Sequence, residues 1–230
     1  MKLSDKTTKL LKNFSSINNS ILLVPSNTIF VSSHEDNFCA RAKIEEEIPV
    51  EVPIYDFSTF LAVLSMFKEP VCSFRDKYVL IQQGKHCAHY RYSDKTLLKH
   101  RYNYDKTQNF LNNVAHKIEY KTEFEMSQAS VSALRRAQNI MNLGNTKVFT
   151  KEGFVIFEVY DGANSSLGNY VIETEQKSSV EFSAEFSLKE FLAIEDDYAV
   201  KVGDMNLLFE GKNVPVNYWL STYDAVEFGE

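Results

Sequence analysis

The sequence predicts an α+β chain in which one structural unit is used twice. Three observations carry that reading. Both halves contain the order helix, four strands, helix, three or four strands. The second helices of the halves align by letter, DFSTFLAV (56–63) over SLKEFLAI (187–194), and internal repetition of this kind decides a fold. Finally, 230 residues with 44% apolar and 13% aromatic content suffice for two cores of ordinary size. Each unit is expected to pack two helices on one face of antiparallel sheet. The expected domains are 1–110 and 111–230, joined through a polar stretch of weak periodicity, Ser93–Lys117.

Ser4 is placed to cap the first helix, whose Thr7, Leu10, Leu11 and Phe14 fall at i, i+3, i+4 and i+7 and so form one apolar stripe. At 100° per residue Lys2, Lys9 and Lys12 point the other way, with Lys6 on the flank. Short β-rich runs follow at Ile21–Val24, Thr28–Ser32, Phe38–Ile44 and Ile48–Val52, punctuated by Pro25-Ser-Asn and His34-Glu-Asp-Asn37. Asp56 caps the second helix, with Phe57, Phe60, Leu61, Leu64 and Phe67 inward and Ser58, Ala62 and Ser65 outward. Strands are expected at Val71–Arg75, Tyr78–Gln82 and Cys87–Tyr92, and a short helix near Asn109–Val114.

In the second half a strand, Ile118–Phe124, leads to Ser127. That serine caps a helix with Val131, Leu134, Ala137 and Met141 inward, Ser132, Arg136 and Asn139 opposite, and Arg135 beside them. Strands follow at Lys147–Thr150, Phe154–Tyr160, Gly168–Thr174 and Val180–Phe186. Ser187-Leu-Lys-Glu190 is a capping box opening a helix with Leu188, Phe191, Leu192 and Ile194 inward. Tyr198–Val202, Leu207–Glu210, Val214–Leu220 and Ala225–Phe228 complete the strands.

The net charge of −6 comes from 25 Lys+Arg against 31 Asp+Glu, whereas a conventional DNA-binding module is basic overall. Acid and base are segregated, however. Lys2, Lys6, Lys9 and Lys12 face only Asp5 within residues 2–13, while KIEEEIPVEVP (43–53) and AIEDD (193–197) are acidic. Such a surface holds a polyanion on its basic face and repels it elsewhere. A lone basic amphipathic helix is more often a solvated surface helix; the repeat of the pattern is what argues for a role.

No run approaches the roughly 18 apolar residues of a membrane span, and the amino terminus is too charged for a signal peptide. Cys39, Cys72 and Cys87 are an odd set without metal spacing and read as reduced, mostly buried thiols of a cytosolic protein. With eight glycines the chain has neither G-x-x-x-x-G-K-[ST] nor G-x-G-x-x-G, so no nucleotide site or other cofactor is expected. His86-Cys87-x-His89, with His34 and Asp36 upstream, suggests a metal, but strand alternation separates His86 from both Cys87 and His89. No nucleophile sits in a recognisable elbow. The chain is not expected to be an enzyme.

The opening K-L-S-x-x-x-T-T-x-L-L-K-N-F-x-x-I-N, Lys2 to Asn18, resembles the sliding clamps of T-even-type bacteriophages. The likeness returns at Ile54-Tyr-Asp56, Phe60-Leu61 and Leu64-Ser65, and elsewhere it lies in length and element order. The resemblance implies the DNA-clamp fold, closed head to tail into a homotrimeric ring whose helices line the hole. It implies a processivity factor that encircles duplex DNA without sequence specificity, tethers the replicative DNA polymerase and is placed by an ATP-dependent clamp loader. The setting would be the cytoplasm of an infected bacterial host, with no membrane partner. Lys2, Lys6, Lys9, Lys12, Arg135, Arg136 and Lys189 would then face DNA, Lys189 partly cancelled by Glu190. Such clamps hold partner tails in an apolar pocket beside the connector, for which Val216, Tyr218, Trp219 and Leu220 are the expected wall. NFLNNVAHKIEY replaces the family's proline-rich lead-in to the second domain. The alternative reading is a non-catalytic, β-rich viral structural or interaction protein that repeats an α+β unit; an unrecognised hydrolase would need a pocket of converging polar groups.

Overall fold

Residues 1–98, 101–164, 166, 168–187 and 193–229 are described by a computed structural model. They belong to two units, Met1–His116 and Lys117–Glu230. The division falls within the 3-10 turn that closes a helical run, six residues beyond the expected 110/111.

The first unit begins with α1 (Asp5–Ile17), capped by Ser4, whose Oγ accepts the Thr7 N–H at 3.1 Å. Thr7, Leu10, Leu11, Phe14 and Ile17 are buried. Its serines, threonines and asparagine are poor helix formers. Each large apolar side chain buried contributes about 2 kcal/mol, so packing rather than propensity holds this helix. Strands β1 (Ile21–Leu23), β2 (Ser26–Ser32), β3 (Phe38–Ile48) and β4 (Val52–Ile54) follow, with β1 antiparallel to β4 and β2 to β3. One 11-residue strand thus replaces the expected pair 38–44 and 48–52. Ala42, Ile44 and Ile48 keep the buried phase, and Glu46 occupies that same phase between them. Its carboxylate accepts the Ser4 N–H and, at 2.5 Å, the Thr7 hydroxyl. The three glutamates read as a break because this partner lies about 40 residues away.

Asp56 caps α2 (Phe57–Ser65), accepting the Thr59 N–H at 2.9 Å, and these donors hold its carboxyl below the usual range. Phe57, Phe60, Leu61 and Leu64 are buried and Ser58, Ala62 and Ser65 exposed, while Phe67 lies past the helix end and is half-buried. Strands β5 (Val71–Phe74), β6 (Tyr78–Gln83) and β7 (His86–Arg91) form a sheet in that order. The connector is more helical than its sequence suggests. It contains α3 (Lys95–Leu98) and α4 (Tyr104–Asn109), which runs on through a π turn to Val114 and a 3-10 turn to Lys117. Asn103 caps α4 through the Lys106 N–H, a start that weak periodicity hid. Two asparagines tie the unit together. Asn18 donates to the Ser32 and Arg101 carbonyls, both at 2.9 Å. Asn19 accepts the Ser58 N–H and donates to Asp56, fixing the end of α1 to the start of α2.

The second unit comprises β8 (Tyr120–Met126), α5 (Gln128–Met141), β9 (Asn145–Lys151), β10 (Phe154–Tyr160), β11 (Asn169–Lys177), β12 (Phe182–Ser187), β13 (Tyr198–Gly203), β14 (Asn206–Gly211), β15 (Val216–Ser221) and β16 (Glu227–Phe228). One antiparallel sheet has the order β11-β10-β9-β12-β16, the other β8-β13-β14-β15. Ser127 caps α5, and Val131, Leu134 and Ala137 are its buried stripe. Met141, expected inside, is half-buried because the helix ends there in a left-handed Asn142. The helix expected from Ser187 to Ile194 lies, over 188–192, outside the described residues.

Asp196 anchors the hairpin of this unit. It is buried and accepts the backbone N–H groups of Asp197, Asn213 and Val214 together with Asn213 Nδ2. The chain comes so close at Gly211 that a Cβ would stand 2.5 Å from the Val214 carbonyl. Burial alone would raise the Asp196 carboxyl, but the four donors outweigh it and hold the group below the usual carboxylate range. A lowered folded value gives stability that is present above the unfolded pKa, about 4, and is lost as pH falls through the folded value. Asp196→Asn should therefore be less stable than the parent at pH 7, and the gap between their thermal midpoints should close on acidification. Glu46→Ala, which strips a charged acceptor from two donors, should cost about 1–3 kcal/mol in a urea titration.

Candidate nucleic-acid interface

Helices α1 and α5 each turn one stripe into a core and another outward. On α1 the outward stripe carries Lys9 and Lys12, both exposed and with no carboxylate at ion-pair distance among the described residues. Lys6 lies on the flank and meets Glu45 at 3.6 Å with 81% of its side chain exposed. An exposed pair like this is worth little, so the ammonium stays available to a stronger anion. Lys2 is placed differently from expectation. It precedes the cap, bridges to Val71 in antiparallel pairing and meets Glu69 at 3.3 Å, so it belongs to the sheet margin and not to the helix face.

On α5 the two arginines divide. Arg136 is exposed on the outer stripe with Asn139. Arg135 is half-buried, and its charge opposes the burial that pushes the Tyr198 and Tyr218 hydroxyls up. It therefore lies within electrostatic reach of those two buried tyrosines. Lys189 lies outside the described residues. The helix α2 adds no cation: Ser58, Ala62 and Ser65 are its outer residues. Neutral hydrogen-bonding groups accompany the cations, with Ser16 on α1 and Ser132 on α5, which a search limited to bases passes over.

The four residues expected as a partner-binding wall are packed inside. Val216, Tyr218, Trp219 and Leu220 are all buried, so residues on both faces of β15 are covered. The Tyr218 hydroxyl accepts the Ile194 N–H at 3.2 Å. A cleft does open beside the connector of the first unit, lined by Leu22, Lys95, Leu98, Tyr102, Asn103 and Tyr104. Among the described residues the buried Tyr104 hydroxyl has no hydrogen-bond partner. Periodicity gives no signal for this cleft, because its wall is assembled from β1, the short helix α3, the start of α4 and the residues between the two helices.

Cys39 and Cys72 are buried and Cys87 is exposed; burial pushes the Cys39 thiol up to about 12. Among the described residues no three His, Cys, Asp or Glu side chains are grouped to hold a metal, and no helix is long and apolar enough to cross a membrane.

A family model described as DNA polymerase processivity factor matches residues 2–71. The sliding clamp of Vibrio phage KVP40 is 24% identical over 212 residues, 88% of this chain and 90% of that one. The sliding clamp of Enterobacteria phage T4 is 41% identical over 69 residues, 30% of each chain. Among solved structures, Proliferating Cellular Nuclear Antigen from Entamoeba histolytica superposes with a TM-score of 0.68 at 10% identity, covering 96% of this chain and 97% of that one. A putative DNA polymerase III beta subunit from Eubacterium rectale gives 0.70 at 11% identity, covering 96% of this chain. The chain spans 64% of that beta subunit's length. The fold is the DNA-clamp fold, and the named relatives support a phage sliding clamp.

If Lys9, Lys12 and Arg136 each neutralise one phosphate, replacing all three with Gln should flatten the plot of log affinity for duplex DNA against log salt by roughly 3 units. Binding measured from low to moderate salt, with random-sequence duplexes, checks this. Lys2→Gln should leave the slope unchanged.

Proposed function

We propose that this chain is a phage sliding clamp, a processivity factor that surrounds duplex DNA and holds a replicative polymerase to it. The observation that carries the reading is a clamp-fold chain whose two capped helices, α1 and α5, each bury one stripe and expose cations on the other. No catalytic step is assigned to it. Its contribution is topological: a closed ring stays on DNA because it cannot dissociate sideways, so its phosphate contacts need only be weak and sequence-blind.

Lys6, Lys9, Lys12 and Arg136 are the residues proposed to meet phosphates, Arg135 supports the same helix from its inner flank, and Lys189 is kept as a further candidate. Three copies joined head to tail would make the ring. Such heterologous contacts close when the rotation between copies closes, and pairing of sheet margins between copies would satisfy open strands. An ATP-dependent loader is needed because a closed ring does not thread onto closed DNA. The polymerase tail is proposed to dock in the connector cleft of the first unit. The cytoplasm of an infected bacterium is the setting this role requires.

Sedimentation across a range of concentrations should show a species of three chains that grows with concentration. Primer extension with the cognate polymerase and loader tests the role itself. Reversing charge at Lys6, Lys9, Lys12 and Arg136 together should shorten the products at least ten-fold, as lost phosphate contacts accumulate. Tyr104→Ala should weaken polymerase capture while leaving ring mass unchanged. Products of undiminished length from the four-fold reversal would instead favour a viral structural protein whose basic faces are ordinary surface.

A further inference from the structure

The three-stranded sheet of the first unit turns an aromatic and basic face to solvent. Antiparallel pairing puts Val71, Gln82 and Cys87 in one cross-strand row and Ser73, Leu80 and His89 in the next. At the turn the Arg75 N–H meets the Tyr78 carbonyl at 2.9 Å, and Tyr78 stands opposite Arg91, so the third row is Arg75, Tyr78 and Arg91. Side chains in these rows share one face of the sheet. The other face is the covered one: Cys72, Val79 and Ile81 are buried, and Tyr90 packs edge-on against Phe60 of α2 at 5.0 Å. The three rows therefore point away from α2. Arg75, His89 and Arg91 are exposed and Tyr78 is half-buried. The Tyr78 and His89 rings meet edge to face with centroids 5.1 Å apart.

The charge here runs against the acidic balance of the chain. Residues 68–92 hold Lys68, Arg75, Lys77, Lys85 and Arg91, with His86 and His89, against only Glu69 and Asp76. Glu69 is engaged by Lys2. None of the five cations has a carboxylate at ion-pair distance among the described residues. The second unit treats its sheet β8-β13-β14-β15 differently, for there Lys201 meets Glu210 and Lys212 meets Glu125. A protein of net charge −6 thus keeps a concentrated positive field on this sheet, which draws an anion to it.

The rows say which kind of anion. A tyrosine lies between two arginines whose backbones are roughly 10 Å apart across the three strands, with an imidazole beside it. Duplex DNA would occupy the arginines and leave the rings idle, since its base faces are stacked inside. An acidic peptide likewise has no use for the rings. A single strand uses both, because its phosphates pair with guanidinium groups and its unstacked bases lie on aromatic or guanidinium planes.

We propose that the β5-β6-β7 face binds single-stranded nucleic acid, with Tyr78 and His89 as the base platform and Arg75 and Arg91 as the phosphate contacts. This surface is separate from the cations of α1 and α5, and it does not require a closed ring.

The test uses full-length protein and a fluorescent oligothymidylate of about 15 nucleotides, with binding read by anisotropy. Tyr78→Ala should weaken binding by at least about five-fold, as for one lost stacking contact, and Tyr78→Phe should retain it. Arg75→Gln together with Arg91→Gln should flatten the plot of log affinity against log salt by roughly 1.4 units, about 0.7 for each single-strand phosphate contact. Replacing Lys9, Lys12 and Arg136 with Gln should change neither quantity. Urea midpoints report whether the variants fold; should Tyr78→Ala lower its midpoint, the exposed arginine pair decides alone. A parent that does not bind the oligothymidylate, or a salt slope set by the α1 and α5 cations instead, overturns the proposal. So does polyglutamate that binds the parent more tightly than the oligothymidylate with the same dependence on Arg75 and Arg91, for the occupant is then an acidic protein segment.

Discussion

The first unit depends on a carboxylate in the wrong place. Glu46 sits in the apolar phase of β3, where burial without partners would be costly. It is satisfied only because the start of α1 brings an N–H and a hydroxyl to it. The arrangement satisfies three needs at once: the strand continues through an acidic run, orphan donors at the helix start find an acceptor, and α1 is fixed in register against β3. Everything proposed for the lysines follows from that register, since a rotation of one residue, 100°, would move Lys9 and Lys12 out of their stripe and turn Leu10 and Phe14 toward water.

Acid and base then divide the surface by function. Lys9 and Lys12 on α1 and Arg136 on α5 have no ion pair among the described residues, whereas several cations elsewhere do: Lys121 with Asp204, Lys201 with Glu210 and Lys212 with Glu125. An exposed pair contributes little stability, but its carboxylate cancels part of the local positive field. A protein of net charge −6 thereby keeps a few free cations in chosen places. That suits a ring which must hold a polyanion loosely enough to move along it.

The helices and their faces were legible because caps and apolar spacing are local. Ser4, Asp56 and Ser127 were each read from their neighbours, and each accepts the expected N–H. What failed to show was non-local. The continuity of β3 depends on the distant Ser4 and Thr7, and α4 depends on Asn103 and on Thr107 meeting Ser32 across 75 positions. Position within a stripe also proved finer than periodicity resolves: Arg135 and Arg136 are adjacent letters with different surroundings. Val216 to Leu220 were expected as a wall because alternation counts faces and says nothing about what covers them. The connector cleft, assembled from β1 and two short helices, has no single period to read.

The asparagine that closes α1 has a consequence for how the chain is made. Asn18 is secured by the carbonyl of Arg101, 83 positions later, and Ser4 by Glu46, 42 positions later. An isolated helix of 13 residues is marginal in water. On the ribosome, at about 5–20 residues per second, the amino-terminal segment therefore waits roughly 4–17 s for its last partner to be synthesised. Throughout that interval Leu10, Leu11 and Phe14 are uncovered on a nascent chain. α1 emerges well before the partners that lock it, so a ribosome pausing between residues 46 and 101 would prolong the exposure of the very segment that later carries the lysines.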